Sequence, residues 1–361
     1  MSVESIDKLL EMGVKRNASD LHLHPGVRPL LRIDGVLKEI TEIKPLSSNE
    51  IKHLLFNFMT TEQQQRFNEE LGLEMALSIA ELGDFRISML HVREGVAAVF
   101  RILPRHIPSC LELGLPPVIG SLLGLSHGLI LVTGPTGSGK TTTLASMINQ
   151  INTYQSSHII TIEDPIEYIH HNKKSVIKQL QVGRETHSFA AALRASLRQD
   201  PDVVLLGELR DFETMQLALT AAETGHLVFA TLHASSAPLA INRFVDMCPL
   251  EENVIVRNML SETLQAVICQ TLVKTINKGR TAAFEVMLST PAIRHYIRKD
   301  MPGYMESTIQ TSGDIGMCTL NQSLNNLIEN HVISATVAEA TLANRGTFRE
   351  FEDKGSQKTK K

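Results

Sequence analysis

From Val118 onward, short apolar runs alternate with longer stretches of helical spacing. The runs Leu129–Thr133, His158–Ile162, Val203–Leu206 and Leu227–Leu232 carry almost no polar positions. That pattern suits strands covered on both faces, as in a parallel sheet. Between them, Ser188–Gln199 and Phe212–Glu223 repeat their apolar residues at helical intervals. The alternation predicts an α/β fold with a mostly parallel, helix-covered sheet. From Glu251 to about Ala343 the spacing predicts a largely helical part, so that one domain spans 118–346.

Residues 1–102 read differently, as a separate α+β unit. Ile6–Lys15 has helical spacing, and His22 and His24 alternate along a short strand before Pro25. Arg28–Ile40 is two short strands around Asp34-Gly35, a strong hairpin signal. Helical segments at Ser48–Phe58 and Glu62–Glu70 precede strands at Leu73–Ile79, Asp84–His91 and Val96–Ile102. Pro104, Pro108, Pro116 and Pro117 mark 103–117 as a linker. Residues 347–361 form a polar, Lys-rich tail, read as a solvated run. His170-His171 follows a turn and is expected to be exposed.

Composition narrows the classes. Hydrophobic residues make up 43% of the chain and charged ones 20%, the balance of a folded globular protein. The net charge of −4 gives no basic bias, and no basic stripe carries interleaved aromatics, so a nucleic-acid partner is not expected. Cys110, Cys248, Cys269 and Cys318 lie far apart without a C-x-x-C pair, which argues against a Cys₄ zinc site and suits a reducing compartment. The first residues lack a signal-peptide pattern, and no uncharged apolar stretch is long enough to cross a membrane. The expectation is a cytoplasmic protein able to dock on a membrane complex.

The chemistry is concentrated at Gly134-Pro135-Thr136-Gly137-Ser138-Gly139-Lys140-Thr141, which matches G-x-x-x-x-G-K-[ST] at every fixed position. It follows one of the buried strands and opens a helix at Thr141–Ile151. Glycines let backbone N–H groups curl around phosphates, and a helix N-terminus favours negative charge. Lys140 is placed to reach the terminal phosphates and the Thr141 hydroxyl to hold Mg²⁺, with Thr142 beside it. The expected ligands are therefore ATP and Mg²⁺.

In an open parallel sheet, ligands sit beyond the carboxyl ends of the strands. The second run leads into Glu163-Asp164-Pro165, the third into Gly207-Glu208 and the fourth into His233. Two acids and a histidine are thus expected at the edge that carries the phosphate loop. Glu163 suits alignment and deprotonation of a water, Glu208 suits Mg²⁺, and His233 suits a bond to the γ-phosphate. Arg86 and Arg101, on paired strands, and Arg194 and Arg198, at i and i+4, are candidate sources of positive charge; the alternative for all four is ordinary surface arginine.

Four blocks together resemble the secretion ATPases that drive type IV pili and type II secretion. They are the phosphate loop, the acidic box Ile159–Tyr168, the Walker-B-like Asp200–Asp211 and the histidine box Ala222–His233. Asn17–His22, Ala283–Met287, Thr290–Arg298 and Ile309–Gly313 are similar to segments of the branch that retracts pili. The resemblance runs from about residue 3 to 345. It implies a PAS-like first domain, a RecA-like core and a homohexameric ring with ATP held between domains. The work would be delivered to an inner-membrane platform protein, with a second retraction ATPase as a further partner. By the same resemblance Glu163 is the catalytic base, Glu208 the Walker B glutamate, His226 and His233 the box histidines, and Arg86 and Arg101 the arginines that close on the nucleotide. The chain departs at Lys178–Gly183, which lacks Arg-Glu after Gln179, and at Ala292–Lys299, where the apolar and Arg positions are kept but the end charge differs. Assembly-type relatives carry a longer N-terminal region and a tetracysteine segment. An assembly or secretion ATPase, an accessory retraction ATPase, and a regulator that binds nucleotide with little turnover are the alternative functions.

Overall fold

The structure is a computed structural model that describes residues 5–33, 35–277 and 279–343. Asp34 of the hairpin and the Lys-rich tail lie outside the described residues. The chain divides into two compact units. One ends at His106 and takes in Glu167–Ile169; the other begins at Ile107.

In the first unit α1 (Ile6–Lys15) is followed by β1 (Asp20–Leu23), β2 (Leu30–Ile33) and β3 (Val36–Glu39), then α2 (Ser48–Phe56), α3 (Thr61–Glu70), β4 (Gly72–Ile79), β5 (Gly83–Val92) and β6 (Gly95–Ile102). Both middle helices start with reciprocal capping boxes, Ser47 with Glu50 and Thr60 with Gln63, which satisfy backbone N–H groups that have no partner within the helix. The strands form one antiparallel sheet in the order β3-β2-β1-β6-β5-β4. Along β5 the period of two is plain: Phe85, Ile87 and Met89 are fully buried, while Arg86 and Ser88 face the other way.

The second unit contains α4 (Val118–Leu122), β7 (Gly128–Thr133), α5 (Lys140–Tyr154), β8 (His158–Glu163), β9 (Val176–Gln181), α6 (Phe189–Ser196), β10 (Val203–Leu206), α7 (Phe212–Glu223), β11 (Leu227–Leu232), α8 (Ala237–Asp246), α9 (Asn253–Thr263), β12 (Leu264–Lys274), β13 (Arg280–Leu288), α10 (Pro291–Arg298), α11 (Met305–Thr311), α12 (Leu320–Glu329) and α13 (Ala335–Ala343). Its strands run β13-β12-β7-β11-β10-β8-β9, all parallel except β13. Every residue of β7, β10 and β11 is buried, which explains their unbroken apolar character. One core lies on each face of this sheet. Leu131, Leu206 and Phe244 belong to one, and Val132, Ile148 and Phe229 to the other.

Three expectations are corrected. The stretch from Glu251 to Ala343 is not largely helical, because β12 and β13 pair through nine consecutive positions from Ala266↔Leu288 to Lys274↔Arg280. β12 also pairs with β7 and is buried over most of its length, so it lacks the alternation that betrays a strand, and an apolar run of this kind reads equally as a helix. Residues 107–117 do not stand apart as a linker, since Cys110 and Leu115 pack on the core of the second unit. His170 is not exposed; its Nδ1 is buried without a hydrogen-bond partner.

Candidate nucleotide site

β7 ends at Thr133, and the chain then turns through the loop 134–139 into α5. Gly134, Gly137 and Gly139 have φ of 145°, 77° and 90°, a region that side chains with a Cβ rarely adopt. Pro135, Thr136 and Gly137 are exposed at the loop's crest, while Gly134 and Ser138 are buried at its base. The N-cap of α5 is Gly139, and no side chain caps this helix end. A 15-residue helix therefore presents the positive end of its dipole at the loop. Glycines at these positions and an uncapped helix start fit a bound polyphosphate.

Lys140 Nζ donates to the carbonyls of Gly134 at 2.9 Å and Pro135 at 3.0 Å, folding over the loop it belongs to. Burial lowers its pKa from the ordinary lysine value, and the nearby Glu208 carboxylate opposes that shift. Thr141 and Thr142 are half-buried in the first turn of α5.

The acids arrive from neighbouring strands, as the parallel topology requires. Leu206 pairs with Ile162, and the N–H of Gly207 donates to the carbonyl of Ile162 at 2.8 Å. A side chain at Gly207 would press on the Glu163 backbone at 3.3 Å, so the two strand ends meet closely. Glu163, 8% exposed, accepts from Thr161 Oγ1 at 2.7 Å and from Gln179 Nε2 at 3.1 Å, which fixes its carboxylate. Glu208 lies one residue beyond Gly207. His233 Nε2 is 3.0 Å from Glu208 Oε1, and Arg210 Nε donates to Glu208 Oε2 at 2.8 Å. Arg210 also reaches Asp164 Oδ2 at 3.1 Å, and its partnership with Glu208 raises its pKa. Lys140, Glu208, Arg210, Asp164 and His233 thus form one polar cluster beside the phosphate loop.

His226 is not part of it. It precedes β11, whereas His233 follows that strand, so the two sit at opposite ends of a six-residue strand, about 20 Å long. Its carbonyl accepts from the N–H of Gly128 at the start of β7, and its Nδ1 is 3.0 Å from the carbonyl of Ala221. Within this chain His226 ties strand starts together at the edge away from the phosphate loop.

Arg86 and Arg101 belong to the first unit, directly opposite each other on β5 and β6. Arg86 pairs with Glu74 at 3.1 Å and Arg101 with the buried Asp20 at 3.0 Å, which offsets the repulsion of two like charges across a strand pair. Arg194 pairs with Glu213, and Arg198 lies beyond the end of α6.

Sequence reasoning passed over Arg210, Asp164, Thr161 and Gln179. Thr161 is two residues from Glu163 on β8 and therefore shares its face, a signal that was readable. Gln179 was not, because it lies on β9, a strand the pattern did not predict.

A phosphate loop on an inner strand of a mostly parallel sheet, with acids and a histidine at the ends of other strands of that sheet, defines a P-loop nucleotide-binding protein. Residues 1–285 match the family model "Type II/IV secretion system protein", and the chain belongs to that family. It is 47% identical over 329 residues to the "Type IV pilus retractation ATPase PilT" of Pseudomonas aeruginosa, covering 91% of this chain and 95% of that one. It is 43% identical over 317 residues to a "Twitching motility protein" of Neisseria gonorrhoeae, covering 88% of this chain and 84% of that one. Its fold matches a crystal structure of "the Pilus Retraction Motor PilT and Bound ADP" with a TM-score of 0.88 and 42% identity, over 94% of this chain and 97% of that one. Among the described residues no helix is long and apolar enough to cross a membrane.

Proposed function

We propose that this protein is an ATP-hydrolysing motor that powers type IV pilus retraction. The observation that carries the reading is the convergence of the Lys140 loop with Glu163, Glu208 and His233 at one edge of the parallel sheet. Kinship with proteins named for pilus retraction and twitching motility supports the direction of the work.

The residues have distinct tasks. Backbone N–H groups of 137–140 and the start of α5 hold the phosphates, and Lys140 leaves the Gly134 and Pro135 carbonyls to pair with them. Thr141 and Glu208 supply the hard oxygen donors that Mg²⁺ prefers. That ion, when bound, spreads the charge of the triphosphate. Glu163, held by Thr161 and Gln179, orients the attacking water and takes its proton. His233, bonded to Glu208, links the strand end of β11 to the nucleotide. Arg86 and Arg101 contribute positive charge to the bound phosphates in a homohexameric ring, which transmits domain movement to an inner-membrane platform protein from the cytoplasmic side.

The test is the number of surface pili in cells whose only copy carries Lys140→Ala, a change that removes productive ATP use. Excess pili that never shorten are expected. Bald cells would instead make the protein an assembly ATPase, and an unchanged ATPase rate in the purified variant would overturn the reaction itself.

A further inference from the structure

One buried polar side chain reaches the phosphate loop from a strand with no assigned part in nucleotide binding. Gln270, on β12, is 3% exposed and faces the same side of the sheet as the apolar Ile268. An amide there is costly unless both its ends are bonded. Both are: Oε1 accepts from Thr143 Oγ1 at 2.7 Å, and Nε2 donates to the carbonyl of Ser138 at 2.7 Å. Thr143, in the first turn of α5, is itself 1% exposed.

The same residue fills the space behind two of the loop's glycines. A Cβ on Gly134 would lie 2.3 Å from the Gln270 carbonyl, and a Cβ on Gly139 would lie 2.8 Å from Gln270 Nε2. Gln270 therefore touches residues 134, 138, 139 and 143, which are both ends of the loop and the start of its helix. The register explains the reach: Cys269 pairs with Thr133, the last residue of β7, so Gln270 stands beside the point where the chain leaves the sheet.

We infer that Gln270 is a positioning residue for phosphate binding, setting the shape of the loop through the Ser138 carbonyl while Thr143 holds its amide in register. The inference rests on the ATPase reading above. With Ser138 fixed, its N–H bonded to the Pro135 carbonyl at 3.2 Å, the following peptide planes of Gly139 and Lys140 are held ready for the phosphates before the nucleotide arrives, which removes an ordering cost from binding. Lys140 is free to exchange partners without disturbing this support, because its bonds go to Gly134 and Pro135 rather than to Ser138.

The experiment is steady-state ATPase kinetics, with fluorescent-ADP titration, on the full-length wild type, Gln270→Leu, Thr143→Val and the double variant. Gln270→Leu is expected to raise both the KM for ATP and the Kd for ADP about tenfold, on the scale of one buried hydrogen bond, with kcat within about threefold. Thr143→Val should shift both in the same direction by about threefold. The double variant should be no worse than Gln270→Leu, because Thr143 acts through Gln270. A residue that only packs the core would lower the active fraction, and so kcat, while leaving KM unchanged; that result overturns the inference, as does a double variant whose losses multiply. If Gln270→Leu does not fold, Thr143→Val alone decides, and an unchanged KM there rejects the inference. A wild type that neither binds nor hydrolyses ATP would reject the ATPase reading before any variant is compared.

Discussion

Gln179 bonds two groups at once, accepting from the His170 N–H at 2.8 Å through Oε1 and donating to Glu163 Oε1 through Nε2. The proposed base is thereby tied to the segment that carries His170. The His170 imidazole has a pKa lowered to about 4, first by burial and then by the positive Lys173 and by His171. In the unfolded chain this group titrates near 6.5, so between the two values the unfolded state binds more protons. Stability is fully present above about pH 6.5 and falls as the pH drops toward 4. The loss from this group is about 2 kcal/mol at pH 5 and about 3 kcal/mol once pH 4 is passed. Urea unfolding at pH 7.5 and pH 5 measures it: His170→Asn should lose about 2 kcal/mol less than the wild type over that interval, and equal losses would place the acid sensitivity elsewhere. Nothing in the sequence distinguished His170 from an exposed histidine after a turn, because burial depends on neighbours brought in by the fold.

At the scale of elements, the phosphate loop is as much a product of β12 as of its own residues. The fixed glycines of the motif were legible, but their surroundings were not. Gly137 has open space where a Cβ would go, so Gly137→Ala meets only the strain of its positive φ, about 1 kcal/mol. Gly134→Ala would collide with the backbone of Gln270 as well, and no rotamer change relieves a backbone clash. Fluorescent-ADP titration should show Gly137→Ala binding within about tenfold of wild type and Gly134→Ala losing more than about a hundredfold. Similar losses in both would mean that β12 does not shape the loop. The strands β7, β8, β10 and β11 were readable from their apolar runs, and Glu163, Glu208 and His233 lie at or just beyond the ends of β8, β10 and β11. β12 was not, since an apolar run buried between two partners carries no period. Its polar positions Gln265, Gln270 and Thr271 are too irregularly spaced to mark a strand.

For the whole molecule, the proposed ring makes each site depend on the others. Glu208→Gln keeps the shape of the side chain but removes its charge from the cluster with Lys140, Arg210 and His233. Alone, it should lower kcat by at least about a hundredfold with ATP binding retained. Mixed into wild type before assembly, it should depress activity more steeply than its mole fraction, because one silent subunit stalls its neighbours. A linear fall would mean independent sites and would argue against a concerted ring.

The sequence by itself determined the two kinds of sheet, the phosphate loop and the acids that follow the strands. These depend on local spacing and on the rule that side chains at the ends of parallel strands share an edge. Only the tertiary structure decided which groups touch. It paired Glu208 with His233 and Arg210, and it moved His226 to the far end of β11. It also carried Gln270 from a segment that reads as helix to the back of the phosphate loop. The Thr143–Gln270 pairing joins residues 127 positions apart, and Glu208 meets His233 from a different strand end. No periodicity along the chain records them, because they arise from strand order, which is set by the packing of the whole sheet.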